Sequence, residues 1–336
     1  MSEHAVAIVG AGRIARLHAE NIVSRVARLR LVAVADPLTG ARESLAGETG
    51  SEAVADWTKL LERADVEALL LCSPSGLHAE QIEAAAAAGK HMFCEKPIAA
   101  DVASADRAVA AAERAGITLQ VGYNRRFDRN FAAVREAVAT GRIGQPVIVR
   151  ITSRDPEPSP RSYLETSPGL FVDTTTHDLD LARFVAGAEI VEVSAYAAAL
   201  VSDEVRELGH VDTAITIVRF DSGTLGAIDN CWVSRYGYDQ RLEVHGSEGM
   251  VRAENEVLNT TALADGEGFH SPPLPHFFLD RYAPAYVREL EAFADALEGA
   301  PVRVSGRDGR EALAAALAAQ RSVEEGRPVR PAEVAG

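Results

Sequence analysis

The 336-residue chain is short of the residues that mark specialised proteins. Cysteine is scarce: Cys72, Cys94 and Cys231 are an odd set, far apart in sequence. That excludes a dense disulfide framework and gives no zinc-ligand spacing, so reduced thiols in a cytoplasm are expected. Basic residues are the minority, since Lys+Arg 34 against Asp+Glu 49 give a net charge of −15. A nucleic-acid binder or a polybasic membrane-surface protein needs the opposite balance. Long apolar runs are missing too. The alanine-rich stretch from Glu83 to Ala88 is far short of the ~20 residues of a membrane span. Met1-Ser2-Glu3-His4 leads into an apolar strand with no basic leader pattern, which again fits a cytoplasmic protein. What is present is ordinary globular composition, 47% hydrophobic and 25% charged, enough to bury a sizeable core. The length suits two domains better than one.

Strand-like and helix-like patterns alternate through the first ~120 residues. Ala5–Val9, Leu31–Ala35, Ala68–Cys72, His91–Cys94 and Thr118–Val121 read as strands. Ile14–Val26, Trp57–Glu62, His78–Ala88 and Val102–Arg114 read as helices. The strand segments are near-continuous apolar runs, as in a parallel sheet covered on both faces. After Gly122 the texture changes. Beyond a helix at Phe131–Ala139, the strand-like segments Val147–Thr152, Val191–Ala195, Ala214–Phe220, Thr224–Asn230 and Gln240–His245 follow. A helix at Asp173–Phe184 interrupts them, and helices at Ala285–Leu297 and Asp308–Ser322 close the chain. The expected architecture is α/β. An N-terminal Rossmann dinucleotide-binding domain spans 1–122. A C-terminal α+β domain with a large, mainly antiparallel sheet spans 123–336.

Gly10-Ala11-Gly12-Arg13-Ile14-Ala15 lies between the first strand and the first helix. In that context the G-x-G-x-x-A pattern is what a dinucleotide needs: a tight turn, close approach of backbone to the pyrophosphate, and close helix–strand packing. The helix N-terminus adds amides and partial positive charge. Asp36, ending the second strand, suits the ribose hydroxyls and repels a 2′-phosphate, so NAD is expected over NADP. Ser73, Pro74 and His78 follow another strand end, where cofactor-lining loops lie in such sheets. Glu95-Lys96-Pro97 holds an ammonium at the next strand end, able to stabilise a developing alkoxide, with Glu95 placed to orient its surroundings. In the second domain, Asp173, His177 and Asp180 are spaced four and three apart, so on a helix they share one face. An imidazole backed by a carboxylate takes a hydroxyl proton near neutral pH. The same spacing is compatible with metal ligation. Lys96 would sit badly beside a cation, however, and no metal is expected.

Together these residues identify a resemblance to the Gfo/Idh/MocA oxidoreductase family over essentially the whole chain. Gly10–Ala15, Glu95-Lys96-Pro97, Gly122-Tyr123-Asn124-Arg125-Arg126-Phe127 and Asp173–Asp180 carry it. Ser153-Arg154-Asp155-Pro156, Tyr236-Gly237-Tyr238-Asp239-Gln240-Arg241 and Phe278-Leu279-Asp280-Arg281-Tyr282 narrow it to the inositol 2-dehydrogenase branch. The resemblance implies NAD-dependent oxidation of a ring hydroxyl of a cyclic polyol, with myo-inositol going to its 2-keto product. It also implies that Lys96, Asp173 and His177 are catalytic, with His177 the base, Asp173 its assistant and Lys96 polarising the same oxygen. Asn124, Arg125, Asp155, Asp180 and Tyr236 match expected substrate-pocket positions. Other inositol isomers, an aldose or a pyranoside remain alternatives, with a non-catalytic NAD-binding regulator more remote. Two departures bear on that choice: Cys231-Trp232-Val233 ahead of the Tyr236 motif, and Ser167-Pro168-Gly169 where two glycines are usual. Members of the family self-associate through the broad sheet, so a homo-oligomer, a tetramer, is expected.

Overall fold

The computed structural model describes residues 3–335. They divide into two compact units, one of residues 3–124 with 284–313 and one of 125–283 with 314–335. In the first unit, β1 (His4–Val9), β2 (Leu29–Ala35), β3 (Glu52–Val54), β4 (Ala68–Leu71), β5 (His91–Cys94) and β6 (Leu119–Val121) form one sheet. Its order is β3-β2-β1-β4-β5-β6 and every pairing is parallel. The reversal of order between β1 and β4 is the switch point outside which dinucleotides bind in such sheets. The apolar runs read as strands are buried apart from Ala5, Val32, His91 and Thr118, which are half-buried, and Ala68–Leu71 is wholly inaccessible. Helices cover both faces, which removes any requirement for polar alternation.

Three features of this unit differ from the sequence reading. Glu52–Val54 is a strand that was not anticipated, because its residues are exposed or half-buried and form no apolar run. Thr39–Thr49 is a helix that buries only Leu45 and Ala46, too little to give a periodic pattern. Residues 284–313 group with the first unit rather than with everything else beyond 122. The reason is packing: Leu290, Phe293 and Ala294 join Val6, Ile8, Leu70 and Phe93 in one hydrophobic cluster.

The second unit is built on β7 (Pro146–Arg154), β8 (Ile190–Ala198), β9 (Thr213–Phe220), β10 (Leu225–Cys231), β11 (Asp239–Gly246) and β12 (Met250–Ala253). Their order is β12-β11-β7-β10-β9-β8, with only the β7–β10 pairing parallel. A separate hairpin joins β13 (Leu263–Asp265) to β14 (Gly268–His270). Along β9 burial alternates strictly, placing Ala214, Thr216, Val218 and Phe220 on the covered face. The helices Arg129–Ala139 and Thr176–Ala186 pack against this sheet. The opposite face carries Tyr196, Ile215, Ile217 and Leu225, all exposed. Among the described residues no helix is long and apolar enough to cross a membrane.

Candidate active site

Each unit carries part of the anticipated set. In the first, Gly10 has φ +100°, and a Cβ there would meet the Cys72 carbonyl oxygen at 2.6 Å, so only glycine fits. Gly12 caps the helix Arg13–Arg25, and a Cβ on it would meet nothing within 4 Å. That open space over a helix N-terminus is what a pyrophosphate requires. Ala15 is fully buried in the core cluster, whereas Arg13 is exposed and Ile14 half-buried. The Asp36 carboxylate accepts hydrogen bonds from the Ala11 amide at 2.9 Å and the Leu38 amide at 2.8 Å, which aims it across the glycine turn. The Arg42 guanidinium donates to the Asp36 and Pro37 carbonyls rather than to that carboxylate. These residues fit NAD.

The loop after β4 is braced from below. Ser73 Oγ donates to Gln81 at 2.6 Å, and Pro74 is exposed. His78 is buried, with Nδ1 2.8 Å from the Pro97 carbonyl and Nε2 2.9 Å from the Ser73 carbonyl. Burial holds its ring below the ordinary imidazole range. With both nitrogens against backbone oxygens, His78 ties the Ser73 loop to the Glu95-Lys96-Pro97 turn. Lys96 is half-buried and its bond to Pro97 is cis. Glu95 is buried and bonded to His18 Nε2 at 2.7 Å. Asn124, at the end of this unit, is buried.

In the second unit the helix of the anticipated trio begins irregularly. Phe171–Thr175 is a π turn and the α-helix starts at Thr176, so Asp173 is not on the regular helix that carries His177 and Asp180. Such turns recur at functional sites because they re-aim a side chain. Asp173 accepts from the Tyr163 hydroxyl at 3.0 and 2.8 Å, and from Ser167 Oγ at 3.4 Å. His177 is half-buried. Asp180 is fully buried, and both its oxygens accept from Arg126, at 2.8 and 2.6 Å.

Beneath this helix lies a buried polar network that the sequence reading did not assemble. Arg125 is ion-paired with Asp178 and donates to Ser153 Oγ at 3.1 Å. Asn230 Nδ2 donates to the other Asp178 oxygen at 2.9 Å. Burial pushes the Asp178 carboxyl upward while Arg125 and Asn230 pull it back. Arg125 itself is held charged by Asp178 against its own desolvation. Tyr282, whose hydroxyl donates to Gln240, is pushed up to about 12 by burial. Asp155 is half-buried beside β7. Tyr236 is exposed and donates to Asp239 at 2.7 Å while accepting from Arg154 at 2.9 Å. Of the two departures from the family pattern, Trp232 is buried and donates to Thr174 Oγ1 at 2.8 Å, next to Asp173. Ser167 touches Asp173 directly. Arg125, Ser153, Asp178, Gln240 and Tyr282 each stand in a motif visible in the sequence, but nothing there links them to one another; Tyr163 has no such signal.

Two family models match the chain. Residues 4–123 match an oxidoreductase family model with an NAD-binding Rossmann fold. Residues 131–252 match the GFO/IDH/MocA C-terminal domain. The chain is 43% identical over 333 residues to a myo-inositol 2-dehydrogenase of Thermotoga maritima, covering 98% of this chain and 99% of that one. It is 45% identical over 323 residues to an inositol 2-dehydrogenase of Rhizobium meliloti, covering 96% and 97%. Among solved structures, a scyllo-inositol dehydrogenase from Lactobacillus casei with bound NAD(H) and scyllo-inositol superimposes with a TM-score of 0.92 at 30% identity, covering 98% of this chain and 100% of that one.

Proposed function

The chain belongs to the GFO/IDH/MocA oxidoreductase family, and from that premise we propose that it is an NAD-dependent inositol dehydrogenase whose leading substrate is myo-inositol, oxidised at one ring carbon to the ketone. The observation that carries this reading is near-full-length similarity to inositol 2-dehydrogenases across both units. The Gly10, Gly12 and Asp36 geometry supports the cofactor assignment independently. Gly10, Gly12 and Asp36 would hold NAD, with the loops at Ser73 and Glu95 beside it. When bound, NAD supplies the acceptor for the hydride that leaves the carbinol carbon.

The chain's own residues do the proton work. His177 takes the hydroxyl proton as the C–H bond breaks and the carbonyl forms. Asp173, itself held by Tyr163 and Ser167, steadies the imidazolium. Lys96 donates to the same oxygen and stabilises its developing charge. Asn124, Arg125, Asp155 and Tyr236 are the candidates for the remaining ring hydroxyls. Asp180 acts through Arg126, since that guanidinium takes both its oxygens. A site of amides and charged groups discriminates well, because an analogue missing a hydroxyl leaves buried groups unpaired. Trp232 and Ser167, both beside the Asp173 turn, favour keeping another inositol stereoisomer as the second reading. The same proposal places the protein in the cytoplasm as a homotetramer, associating through the open face of the β7–β12 sheet.

The test is NADH formation by purified protein with NAD across myo-, scyllo- and chiro-inositol, glucose and xylose. Preference for one inositol identifies the isomer. Turnover of the pyranoses alone would move the substrate to an aldose, and NAD binding without any turnover would sink the dehydrogenase reading for these substrates.

A further inference from the structure

Behind the Glu95-Lys96-Pro97 turn, three ionisable side chains meet inside the first unit, His18 and Glu289 wholly buried and Glu95 7% exposed. His18 comes from the helix Arg13–Arg25, Glu95 follows β5, and Glu289 comes from the helix Ala283–Leu297. One ligating atom from each lies within 4.8 Å of the other two. His18 Nε2 is 2.7 Å from Glu95 Oε1, and its ring is set edge-on to Phe93 and Tyr286. Gly122 lies against the Glu95 carboxylate: a Cβ there would stand 3.1 Å from its carboxylate carbon and both oxygens, so the side chain would have to shift by a few tenths of an ångström. Glu289 is wholly buried, and neither of its oxygens has a hydrogen-bond partner among the described residues. Its backbone carbonyl is pinned by Gln120 Nε2 at 2.8 Å, so the side chain is delivered to this spot by a fixed turn of helix.

Two carboxylates this close in a dry interior do not both ionise without a cation between them. Titratable groups around the cluster include the buried thiols Cys72 and Cys94, which burial keeps in the neutral form, the Tyr286 phenol, and His78, which feels Glu95 but whose ring burial holds below the ordinary imidazole range. None of them supplies positive charge. We infer that His18, Glu95 and Glu289 form a proton-holding support for the Lys96 turn, in which Glu289 is a positioning residue that stays a neutral carboxylic acid and leaves Glu95 as the single charged partner of His18. The push of burial and of Glu95 on the Glu289 carboxyl is in the same direction. A Glu95 side chain locked between His18 and Gly122 fixes the backbone one residue before Lys96. This role rests on the reading that Lys96 acts in the reaction.

The experiment is infrared spectroscopy of the NAD-loaded enzyme at pH 7, compared between wild type and Glu289→Gln, with metal analysis of the same samples. The expected result is a carboxylic-acid C=O band in the wild type that is lost in Glu289→Gln. Absence of the band, its survival in the variant, or a stoichiometric divalent cation would each overturn the assignment of Glu289 as a neutral acid. Kinetics then test positioning. Glu289→Ala is expected to lower kcat by roughly 10- to 10²-fold with the KM values for NAD and polyol unchanged, and Glu289→Gln to restore most of it. Unchanged kcat, or a change confined to KM, would overturn the positioning role. Should Glu289→Ala fail to fold, the infrared comparison still decides the protonation state and Glu289→Gln against Glu289→Leu decides positioning. Lys96→Met keeps the two readings separate: full turnover there removes Lys96 from the reaction without touching the band.

Discussion

Asp36 uses one carboxylate for two tasks. It fixes the glycine turn through the Ala11 amide and its own turn through the Leu38 amide, and its remaining lone pairs are left for a ribose diol. A charge-assisted hydrogen bond contributes about 1.5–3 kcal/mol, so Asp36→Ala is expected to cut kcat/KM for NAD by roughly 10- to 10²-fold. NADP loses no such bond and is relieved of like-charge repulsion, so the NADP/NAD ratio of kcat/KM rises. An unchanged ratio in steady-state kinetics would remove Asp36 from ribose recognition. At His177 the expectation has a different shape. Removing a general base costs roughly 10²–10⁴ in kcat, while NAD affinity, set in the first unit, is expected to stay put in His177→Ala. Calorimetry of NAD binding beside turnover separates the two, and near-normal turnover would take His177 out of the mechanism. Such residues stand out in a sequence because the chemistry proposed for them needs a particular type at a particular place. Gly10 is forced by φ and by the Cys72 carbonyl, and its motif shows that need in six letters. Asp178 and Asn230, or Glu289 and Glu95, were not legible as pairs, because nothing local links residues that meet only after folding.

At the scale of elements, what was legible followed burial. Strands buried on both faces write themselves as apolar runs, and β1, β4 and β5 were read nearly to the residue. β3 was missed because an edge strand of Glu52–Val54 buries almost nothing. The π turn at Phe171–Thr175 was missed because an inserted residue leaves the residue types unchanged. The segment before β9 shows how one side chain sets an element boundary. The buried Asp212 carboxylate accepts from the Leu200, Val201 and Ser202 amides at 2.9, 3.0 and 2.8 Å and from Thr213 Oγ1 at 2.7 Å, closing the loop between β8 and β9. Burial alone would raise this carboxyl, but the four donors outweigh it and the group sits below the ordinary range. A depressed folded-state pKa means the stabilisation is complete above the unfolded value of about 3.9 and is lost as pH falls through the folded one. Asp212→Asn is therefore expected to lose about 1.5–3 kcal/mol at pH 7, with the gap from wild type narrowing in acid. Urea unfolding from pH 7 down to the lowest pH at which both proteins fold checks this, and a gap that does not narrow would show that the ionised form is not the anchor.

For the whole molecule the open question is what covers the second unit's sheet. An antiparallel sheet tolerates one face in water when that face is polar, but here Tyr196 is 79% exposed, Leu225 51%, Ile215 48% and Ile217 45%. They are contiguous: Ile217 stands opposite Ser194 on β8 and Ala227 on β10, and Ile215 opposite Tyr196. The charged side of the same face, from Arg150 and Asp229 to Arg241, Glu243 and Arg252, carries both signs. A two-fold axis laid across such a face brings its apolar patch onto itself and allows opposite charges to meet. Ile217→Glu would then place a carboxylate of each copy in the buried centre with no partner. An uncompensated buried charge costs about 3–5 kcal/mol, enough to weaken association by more than about 10²-fold. Sedimentation velocity over a concentration series is expected to show the variant as smaller species where the wild type stays assembled. The helix bearing His177 packs on the second unit, and the glycine turn lies in the first, so the variant's affinity for NAD is expected to be unchanged. An Ile217→Glu protein of wild-type size at every concentration would mean that assembly uses a different surface and that this apolar face is covered by something else.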